Sequence, residues 1–279
     1  MYKLAVLDID GTLIDNKGNI SKKTIQTIAE VQKSRGIVTI CTGRNIRKAL
    51  PIAKKAGIKV PIGCIDGAIL IEPESQNIVE GLELSKYEID LILSAVQSKQ
   101  VFVELNTGYI YHKFAENESD YRYDIFNKRT PIGRIKSYIG GIRYIKNFPQ
   151  LKAIASPIYQ IVIAGKTDVI TEIKHIIQQG DCHNIDIREH LWDKYLFISG
   201  KGGNKASGVK RLCDYFHISM SETITIGDDR NDIDMLEEAG LGIAMGNAQQ
   251  DIQEVADYVT ASNEQNGVAL ALEKFLLKK

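Results

Sequence analysis

Short runs of apolar residues, each ending in a polar turn, recur over the first part of the chain. They cover residues 4–7, 37–41 and 60–65. Continuous apolar runs of this length are typical of parallel strands buried on both faces. The segments between them have helical spacing, with Ser21 as an N-cap for the first helix and Gly57 as the end of the second. The pattern therefore predicts an α/β domain with a parallel sheet.

The pattern changes from about residue 82. A helical segment is followed by two adjacent strands around the turn at 106–108, and then by further strands and a helix. This mixture predicts a separate α+β domain inserted into the first. Residues 195–198 are interpreted as a strand that returns the chain to the first domain. The predicted organisation is a core formed by residues 1–81 and 195–279, with the insert at residues 82–194.

The basic residues of the insert are interpreted as a solvated face, with phosphate recruitment as the alternative. They include Lys128, Arg129, Arg134 and Lys136. The whole chain has 35 Lys and Arg against 35 Asp and Glu, which gives no electrostatic reason to expect nucleic acid or an anionic membrane as a partner. The oligomeric state stays open.

The 279 residues can bury a full core and fit two domains. No apolar run approaches the ~20 residues of a transmembrane helix. The 4 cysteines include no Cys-x-x-Cys pair, which argues against a disulfide framework or a zinc site. We therefore expect a cytoplasmic protein.

Two carboxylates stand at the end of the first apolar run. Asp8 and Asp10 are separated by one residue and followed by Gly11. In extended backbone their side chains project to the same side, at the strand end where open α/β sheets bind ligands. Two such carboxylates need a cation or a shared proton between them, and oxygen ligands suit Mg²⁺. The alternative is an ordinary turn rich in Asp and Gly, whereas the spacing does not fit an EF-hand.

Three further polar segments are candidates for anion or metal binding. Thr42-Gly43-Arg44 follows the second strand at a helix start, where free N–H groups hold anions, although a simple turn is the alternative. Lys205 opens a helix, where its charge opposes the macrodipole unless an anion is bound, and a surface lysine is the alternative. After Gly227, four aspartates fall within residues 228–234, which exceeds the needs of helix capping.

Taken in order, these segments resemble the motifs of the haloacid dehalogenase (HAD) superfamily of phosphohydrolases. The matching segments are Asp8-x-Asp10-Gly11-Thr12, Thr42-Gly43-Arg44, Lys205 and Gly227-Asp228-x-x-Asn231-Asp232. The placement of the insert and the ending at residues 242–248 resemble the Cof-type branch, subfamily IIB, with a C2B cap. The resemblance implies a Rossmann-like HAD core with a parallel sheet, and an inserted α+β cap domain that closes over the site.

The resemblance also implies a role for each matching residue. Asp8 would be the nucleophile that forms an aspartyl-phosphate, and Asp10 the general acid and then base. The Asp8 carboxylate is expected to be ionised at neutral pH without an activating partner. The implied Mg²⁺ ligands are Asp8, the backbone carbonyl of Asp10, and Asp228. The implied phosphate contacts are Thr42, Gly43, Lys205 and Asn231, while Asp232 would support the metal site and orient Lys205.

The expected function is a Mg²⁺-dependent phosphatase whose partner is a small-molecule phosphate monoester, such as a sugar phosphate. One alternative is a sugar phosphomutase, which would need a bisphosphate activator. The other is a non-catalytic regulatory protein that binds phosphometabolites. A regulatory protein that no longer catalyses a reaction could have lost its catalytic residues. The argument against this alternative is the presence of Asp8, Asp10, Lys205, Asp228 and Asp232.

One segment departs from the family pattern. Related Cof-type proteins usually carry Asn-Gly-Ala after the third strand, whereas this chain has Asp66-Gly67-Ala68. A carboxylate at that position is expected to weaken affinity for dianionic substrates or to change the preferred leaving group. Asp229 and Asp234 are interpreted as helix-start or surface residues.

Overall fold

The computed structural model describes residues 2–124, 138–190 and 194–277. These residues form two compact units, one from Met1–Glu80 and Asn204–Lys279 and the other from Gly81–Gly203. The basic residues Lys128, Arg129, Arg134 and Lys136 lie outside the described residues, so their predicted solvated face stays a prediction. In the described ranges no helix has the length and apolar character needed to cross a membrane.

In chain order the strands are β1 (Leu4–Leu7), β2 (Ile37–Ile40), β3 (Ile62–Cys64), β4 (Ile69–Ile71), β5 (Ile78–Gly81), β6 (Val101–Asn106), β7 (Tyr111–Ala115), β8 (Ile142–Tyr144), β9 (Gln160–Gly165), β10 (Ile185–His190), β11 (Tyr195–Gly200), β12 (Thr223–Gly227), β13 (Leu241–Ala244) and β14 (Tyr258–Val259). The helices are α1 (Lys22–Lys33), α2 (Ile46–Ala56), α3 (Lys86–Val96), α4 (Phe148–Lys152), α5 (Thr167–Gln179), α6 (Lys205–Phe216), α7 (Ile233–Glu238), α8 (Gln250–Val255) and α9 (Gly267–Phe275).

The sheet of the first unit has the strand order β14-β13-β12-β1-β2, with parallel pairing throughout. The interior strand β1 lies between β12 and β2 and is completely buried, as expected for a parallel strand covered on both faces. Leu7 pairs with Ile40 on one side and Ile226 on the other, so three strands end at the same level. This confirms the predicted α/β fold, and it brings the polar segments after β1, β2 and β12 to one edge.

The third apolar run does not extend this sheet as a regular strand. Only Ile62–Cys64 is a strand, and it pairs antiparallel with β4 in the small sheet β3-β4-β5. A single bridge between Cys41 and Gly63 connects it to the end of β2. The predicted hairpin formed by β4 and β5 is confirmed.

The second unit is built on a sheet with the order β10-β11-β9-β6-β7-β8. Its pairings are antiparallel except that β7 and β8 run parallel. Apolar residues of α3 and α5, including Ile92 and Ile173, pack against one face of this sheet together with Val103 and Ile163. The predicted α+β character of the insert is therefore confirmed.

The strand that follows residue 194 belongs to the second unit, not to the first. β11 pairs with β10 along six residue pairs from Tyr195 to Gly200, and also with β9. The prediction that residues 195–198 return the chain to the first domain is therefore wrong, and the chain re-enters the first unit at Asn204. The apolar run correctly indicated a strand, but its residue pattern cannot tell which sheet the strand joins.

A lysine is buried in the second unit between two carboxylates. The Lys113 side chain is 1% exposed, and its Nζ lies 2.5 Å from Asp124 Oδ1 and 3.1 Å from Glu104 Oε2. Burial alone would lower the pKa of Lys113, but the charges of Glu104 and Asp124 raise it above its usual value. The resulting stabilisation is present below the unfolded pKa of about 10.4 and is lost only as the pH rises through the higher folded pKa.

We expect Lys113→Met to destabilise the second unit by about 3–5 kcal/mol, because it leaves two buried carboxylates without their cation. Urea unfolding followed by circular dichroism measures the loss. The control is Lys99→Met, which removes a partly exposed pair with Glu172 and should cost less than about 1 kcal/mol. Equal losses in the two variants would contradict the prediction.

Candidate active site

The end of β1 turns sharply at Gly11 and meets the loop that follows β12. Gly11 has φ +72°, and a β-carbon placed on it would lie 2.0 Å from Asp228 Oδ2. Only glycine allows both this backbone conformation and this close approach. The next residue, Thr12, donates a hydrogen bond from Oγ1 to Asp228 Oδ1 at 2.7 Å. The segment after β1 and the loop after β12 are therefore in direct contact through Gly11, Thr12 and Asp228.

Lys205 connects these two segments through buried ion pairs. It is the first residue of α6, and Asn204 caps this helix by accepting from the backbone N–H of Ser207. The Lys205 side chain is 1% exposed, and its Nζ lies 2.8 Å from Asp8 Oδ1 and 2.6 Å from Asp232 Oδ1. The alternative of a surface lysine is therefore wrong.

Asp232 organises the loop after β12. Its Oδ1 accepts from Lys205, while its Oδ2 accepts from the backbone N–H groups of Asp228 and Asp229, both at 3.0 Å. A β-carbon on Gly227 would lie 2.5 Å from Asp232 Cγ, so glycine is needed for the loop to close in this way. With both oxygens accepting hydrogen bonds, Asp232 is arranged to hold the loop and Lys205 in place.

Two neighbouring aspartates have the structural roles that their positions indicated. Asp229 accepts from the backbone N–H of Arg230 and caps the short turn that leads into α7. Asp234 is exposed in the first turn of α7. Their interpretation as helix-start or surface residues is confirmed.

Burial changes the proton affinity of the acidic residues. Asp8 is almost completely buried, and its pKa is raised to about 8, because burial and the charge of Asp232 raise it more than the charge of Lys205 lowers it. Burial also raises the pKa of Asp228 to about 6. Burial thus opposes the expected ionisation of Asp8, whereas the Lys205 ammonium beside it favours the ionised form. A second cation beside Asp8 would favour its ionised form further.

The acidic residues fit a divalent cation. Asp8, Asp228 and Asp232 each offer an oxygen, and these oxygens lie within 4.8 Å of one another. A donor set made only of carboxylate oxygens suits Mg²⁺, whose charge would favour the ionised forms that burial disfavours. Because Asp232 already accepts from Lys205 and two N–H groups, Asp8 and Asp228 are the side chains best placed to hold such an ion.

Asp10 differs from Asp8 in its surroundings. Its carboxylate is 60% exposed and accepts from Arg44 Nε at 2.7 Å and from a terminal Arg44 nitrogen at 2.5 Å. The strand ends at Leu7, but the backbone is extended at Asp8 and Asp10, and the projection of their two carboxylates to one side stays a prediction. The implied metal contact of Asp10 involves its backbone carbonyl and stays a prediction, as does its role as acid and base.

The other residues implied in phosphate binding are Thr42, Gly43 and Asn231, from the loops after β2 and β12. Thr42 is buried, and its Oγ1 accepts from the Arg44 backbone N–H at 3.2 Å. A β-carbon on Gly43 would lie 3.0 Å from Asp66 Oδ1 and 3.8 Å from Asn231 Nδ2. The structure therefore brings Gly43 and Asn231 together, with Asp66 between them.

Sequence reasoning assigned no role to Asn247, which contacts the same site. Its Nδ2 donates to the Gly11 carbonyl at 2.9 Å and lies 3.4 Å from Asp228 Oδ2. Its Oδ1 accepts from the Asn263 backbone N–H at 2.9 Å. The signal that could have identified it is its position just after β13, at the edge of the sheet where Asp8 and Asp228 lie.

Comparisons with known proteins agree with this geometry. The family model for haloacid dehalogenase-like hydrolases matches residues 5–272. The chain is 28% identical to phosphatase YwpJ of Bacillus subtilis, over 98% of this chain and 100% of that protein. It is 27% identical to the 5-amino-6-(5-phospho-D-ribitylamino)uracil phosphatase YitU of the same organism, over 98% of this chain and 97% of that protein.

A solved HAD subclass IIB sugar phosphatase shares the fold, with a TM-score of 0.77 at 22% identity and 98% of each chain covered. The match to the family model extends over nearly the whole chain and includes every motif that suggested the resemblance. The chain belongs to the haloacid dehalogenase-like hydrolase family and is one of its phosphatases.

Proposed function

We propose that this phosphatase hydrolyses small phosphate monoesters with Mg²⁺, through an aspartyl-phosphate formed on Asp8. The observation that carries the proposal is the buried cluster in which Lys205 contacts Asp8 and Asp232, with Asp228 beside them. Such a cluster combines a nucleophilic carboxylate, a fixed positive charge and oxygen ligands for a cation. Phosphoryl transfer depends mainly on this kind of positioning and charge stabilisation.

In the proposed first step, an Asp8 carboxylate oxygen attacks phosphorus and the bond to the leaving oxygen breaks. The leaving oxygen keeps the electron pair and takes a proton from Asp10, which has to leave Arg44 to deliver it. Lys205, Thr42, Gly43 and Asn231 hold the phosphoryl oxygens. Bound Mg²⁺ supplies positive charge to the carboxylates and the phosphoryl group.

In the second step, water attacks the phosphorus of the aspartyl-phosphate and Asp10 accepts a proton from it. This releases inorganic phosphate and restores the Asp8 carboxylate. Asp232 keeps Lys205 and the loop after β12 in place during both steps. The second unit is proposed as a C2B-type cap that selects the substrate, and this role rests on the resemblance.

The substrate class we propose is sugar phosphates and similar phosphometabolites. The names of two relatives support it: one acts on a phosphorylated ribityl compound and the other is a sugar phosphatase. A panel of such esters assayed with the purified protein ranks them by kcat/KM. Formation of an isomeric sugar phosphate that depends on a bisphosphate activator would instead identify a phosphomutase.

The metal requirement is tested with p-nitrophenyl phosphate as substrate. We expect turnover with Mg²⁺, loss of at least about 10²-fold in EDTA, and recovery when Mg²⁺ is added in excess, because the bound ion would supply positive charge to the carboxylates and the phosphoryl group. Release of p-nitrophenol is followed by absorbance. Undiminished turnover of metal-depleted protein would contradict the proposed Mg²⁺ dependence.

A further inference from the structure

The turn after β3 has an unusual backbone conformation. Ile65, Asp66 and Gly67 have φ values of +54°, +52° and +82°. Residues other than glycine rarely adopt positive φ, and a β-branched residue such as isoleucine does so least readily. Two hydrogen bonds hold the turn, from the Ile65 N–H to the Arg44 carbonyl and from the Asp66 N–H to the Thr42 carbonyl, both at 2.9 Å. The strained turn is therefore fastened to the Thr42-Gly43-Arg44 segment.

This turn directs the Asp66 carboxylate into the group of proposed phosphate contacts. Asp66 is 6% exposed, and its Oδ1 accepts from Asn231 Nδ2 at 3.2 Å. Because a carboxylate can only accept, this contact fixes which end of the Asn231 amide faces Asp66. The same oxygen lies 3.0 Å from the position that a β-carbon on Gly43 would take.

Asp66 also acts on Lys205 through its charge. Burial alone would lower the pKa of Lys205, but Asp232, Asp8 and Asp66 together raise it well above its usual value. The negative charge of Asp66 is thus felt at the lysine that is proposed to bind the phosphoryl oxygens. It acts there through a buried region, where charges are screened less than in water.

We propose that Asp66 is a specificity-determining residue that weakens the binding of phosphate dianions and so limits inhibition by the product, inorganic phosphate. The proposal rests on the proposed function, which places a phosphate group among Gly43, Lys205 and Asn231. A fixed negative charge next to these residues opposes any dianion, whether it is the substrate or the released product. Such a charge alters binding of the ground state and the transition state alike, so it changes KM and not kcat.

The variant Asp66→Asn tests the effect of the Asp66 charge while it preserves the conformation of the turn. Asparagine tolerates positive φ and its side-chain oxygen can still accept from Asn231, so the substitution removes the charge and keeps this hydrogen bond. We expect the inhibition constant of inorganic phosphate, measured against p-nitrophenyl phosphate, and the KM to fall together by about tenfold, as Coulomb's law allows for a partly screened charge. The kcat should not rise. A merely structural role predicts weaker phosphate binding, which is the opposite sign.

A second variant, Asp66→Gly, also accepts positive φ and is expected to bind phosphate more tightly than wild type, though less so than Asp66→Asn because Asn231 loses its acceptor. The control is Asp214→Asn, an exposed position on α6, which should leave the inhibition constant unchanged. Titration calorimetry with inorganic phosphate measures binding independently of turnover. If neither Asp66 variant binds phosphate more tightly than wild type, the proposal is overturned.

A failure of the proposed role of Asp66 can be distinguished from a failure of the proposed phosphatase function. Wild-type protein that does not hydrolyse p-nitrophenyl phosphate would contradict the proposed function. Wild-type protein that does hydrolyse it, with unchanged phosphate inhibition in Asp66→Asn, would overturn only the role of Asp66.

Discussion

Asp8→Asn is expected to reduce turnover of p-nitrophenyl phosphate by more than about 10³-fold. The substitution replaces the proposed attacking oxygen with a neutral amide, which cannot form the aspartyl-phosphate. It also removes one of the two carboxylates best placed to hold Mg²⁺, in a side chain of nearly the same shape. Initial rates at saturating Mg²⁺ measure the loss, and a variant that retains a tenth of the activity would exclude Asp8 as the nucleophile.

The matched control is Asp234→Asn, because Asp234 is an exposed aspartate in the first turn of α7. Its activity should stay within about twofold of wild type, since surface substitutions away from special features have small effects. A comparable loss in this variant would show that the assay reports general damage and not the chemistry of Asp8.

The stability of Asp8→Asn is expected to move in the opposite direction from its activity when metal is absent. Because burial raises the pKa of Asp8 to about 8 from its ordinary value of 3.8, ionising it costs the folded protein stability as the pH rises above 3.8. This cost increases up to about pH 8, and asparagine avoids it. In EDTA at pH 8 the variant should therefore melt at or above the wild-type temperature, and the difference should disappear near pH 4.

A stabilising effect of Mg²⁺ on wild type should be largely lost in the same variant, because binding to the folded state alone raises the melting temperature. Thermal melts with and without Mg²⁺ test this directly. A lower melting temperature of Asp8→Asn in EDTA at pH 8 would show that the Lys205 contact outweighs the cost of burying the charge.

The convergence of the polar segments could be predicted from the sequence because it follows from the strands. Apolar runs before Asp8, Thr42 and Asp228 identify parallel strands, and parallel strands end at one edge of a sheet. The place of β11 could not be predicted, since the run 195–198 is equally compatible with either sheet. Pattern alone finds strands but does not assign their neighbours.

The partners of the side chains within the site could not be predicted from the sequence for a different reason. Asp10 pairs with Arg44, and Asn247 contacts Gly11 and Asp228, through turns whose dihedral angles no periodicity specifies. The raised pKa of Asp8 likewise depends on burial, which is set by the packing around the completed site. The residue types indicated the chemistry of the site. The protonation states and contact partners of these side chains could be described only once the fold was known.

Lys205→Met is expected to lower kcat/KM by about 10²–10³-fold, on the scale of losing one preorganised charge contact to the transition state. Lys205 is buried with its Nζ 2.8 Å from Asp8 and 2.6 Å from Asp232, so methionine keeps much of the volume but removes the charge that both carboxylates face. The matched control, Lys210→Met, changes an exposed lysine on the same helix and should retain wild-type kinetics.

Removing one partner from a buried ion pair also costs about 3–5 kcal/mol of stability, because the remaining carboxylates stay buried without a counter-charge. The double variant Lys205→Met/Asp232→Asn relieves part of this cost and keeps the test informative if the single variant folds poorly. Its stability should recover while its kcat/KM stays low, because stability depends on balanced charge and catalysis on the lysine itself. An unchanged kcat/KM in a folded variant lacking Lys205 would remove this residue from the phosphoryl site.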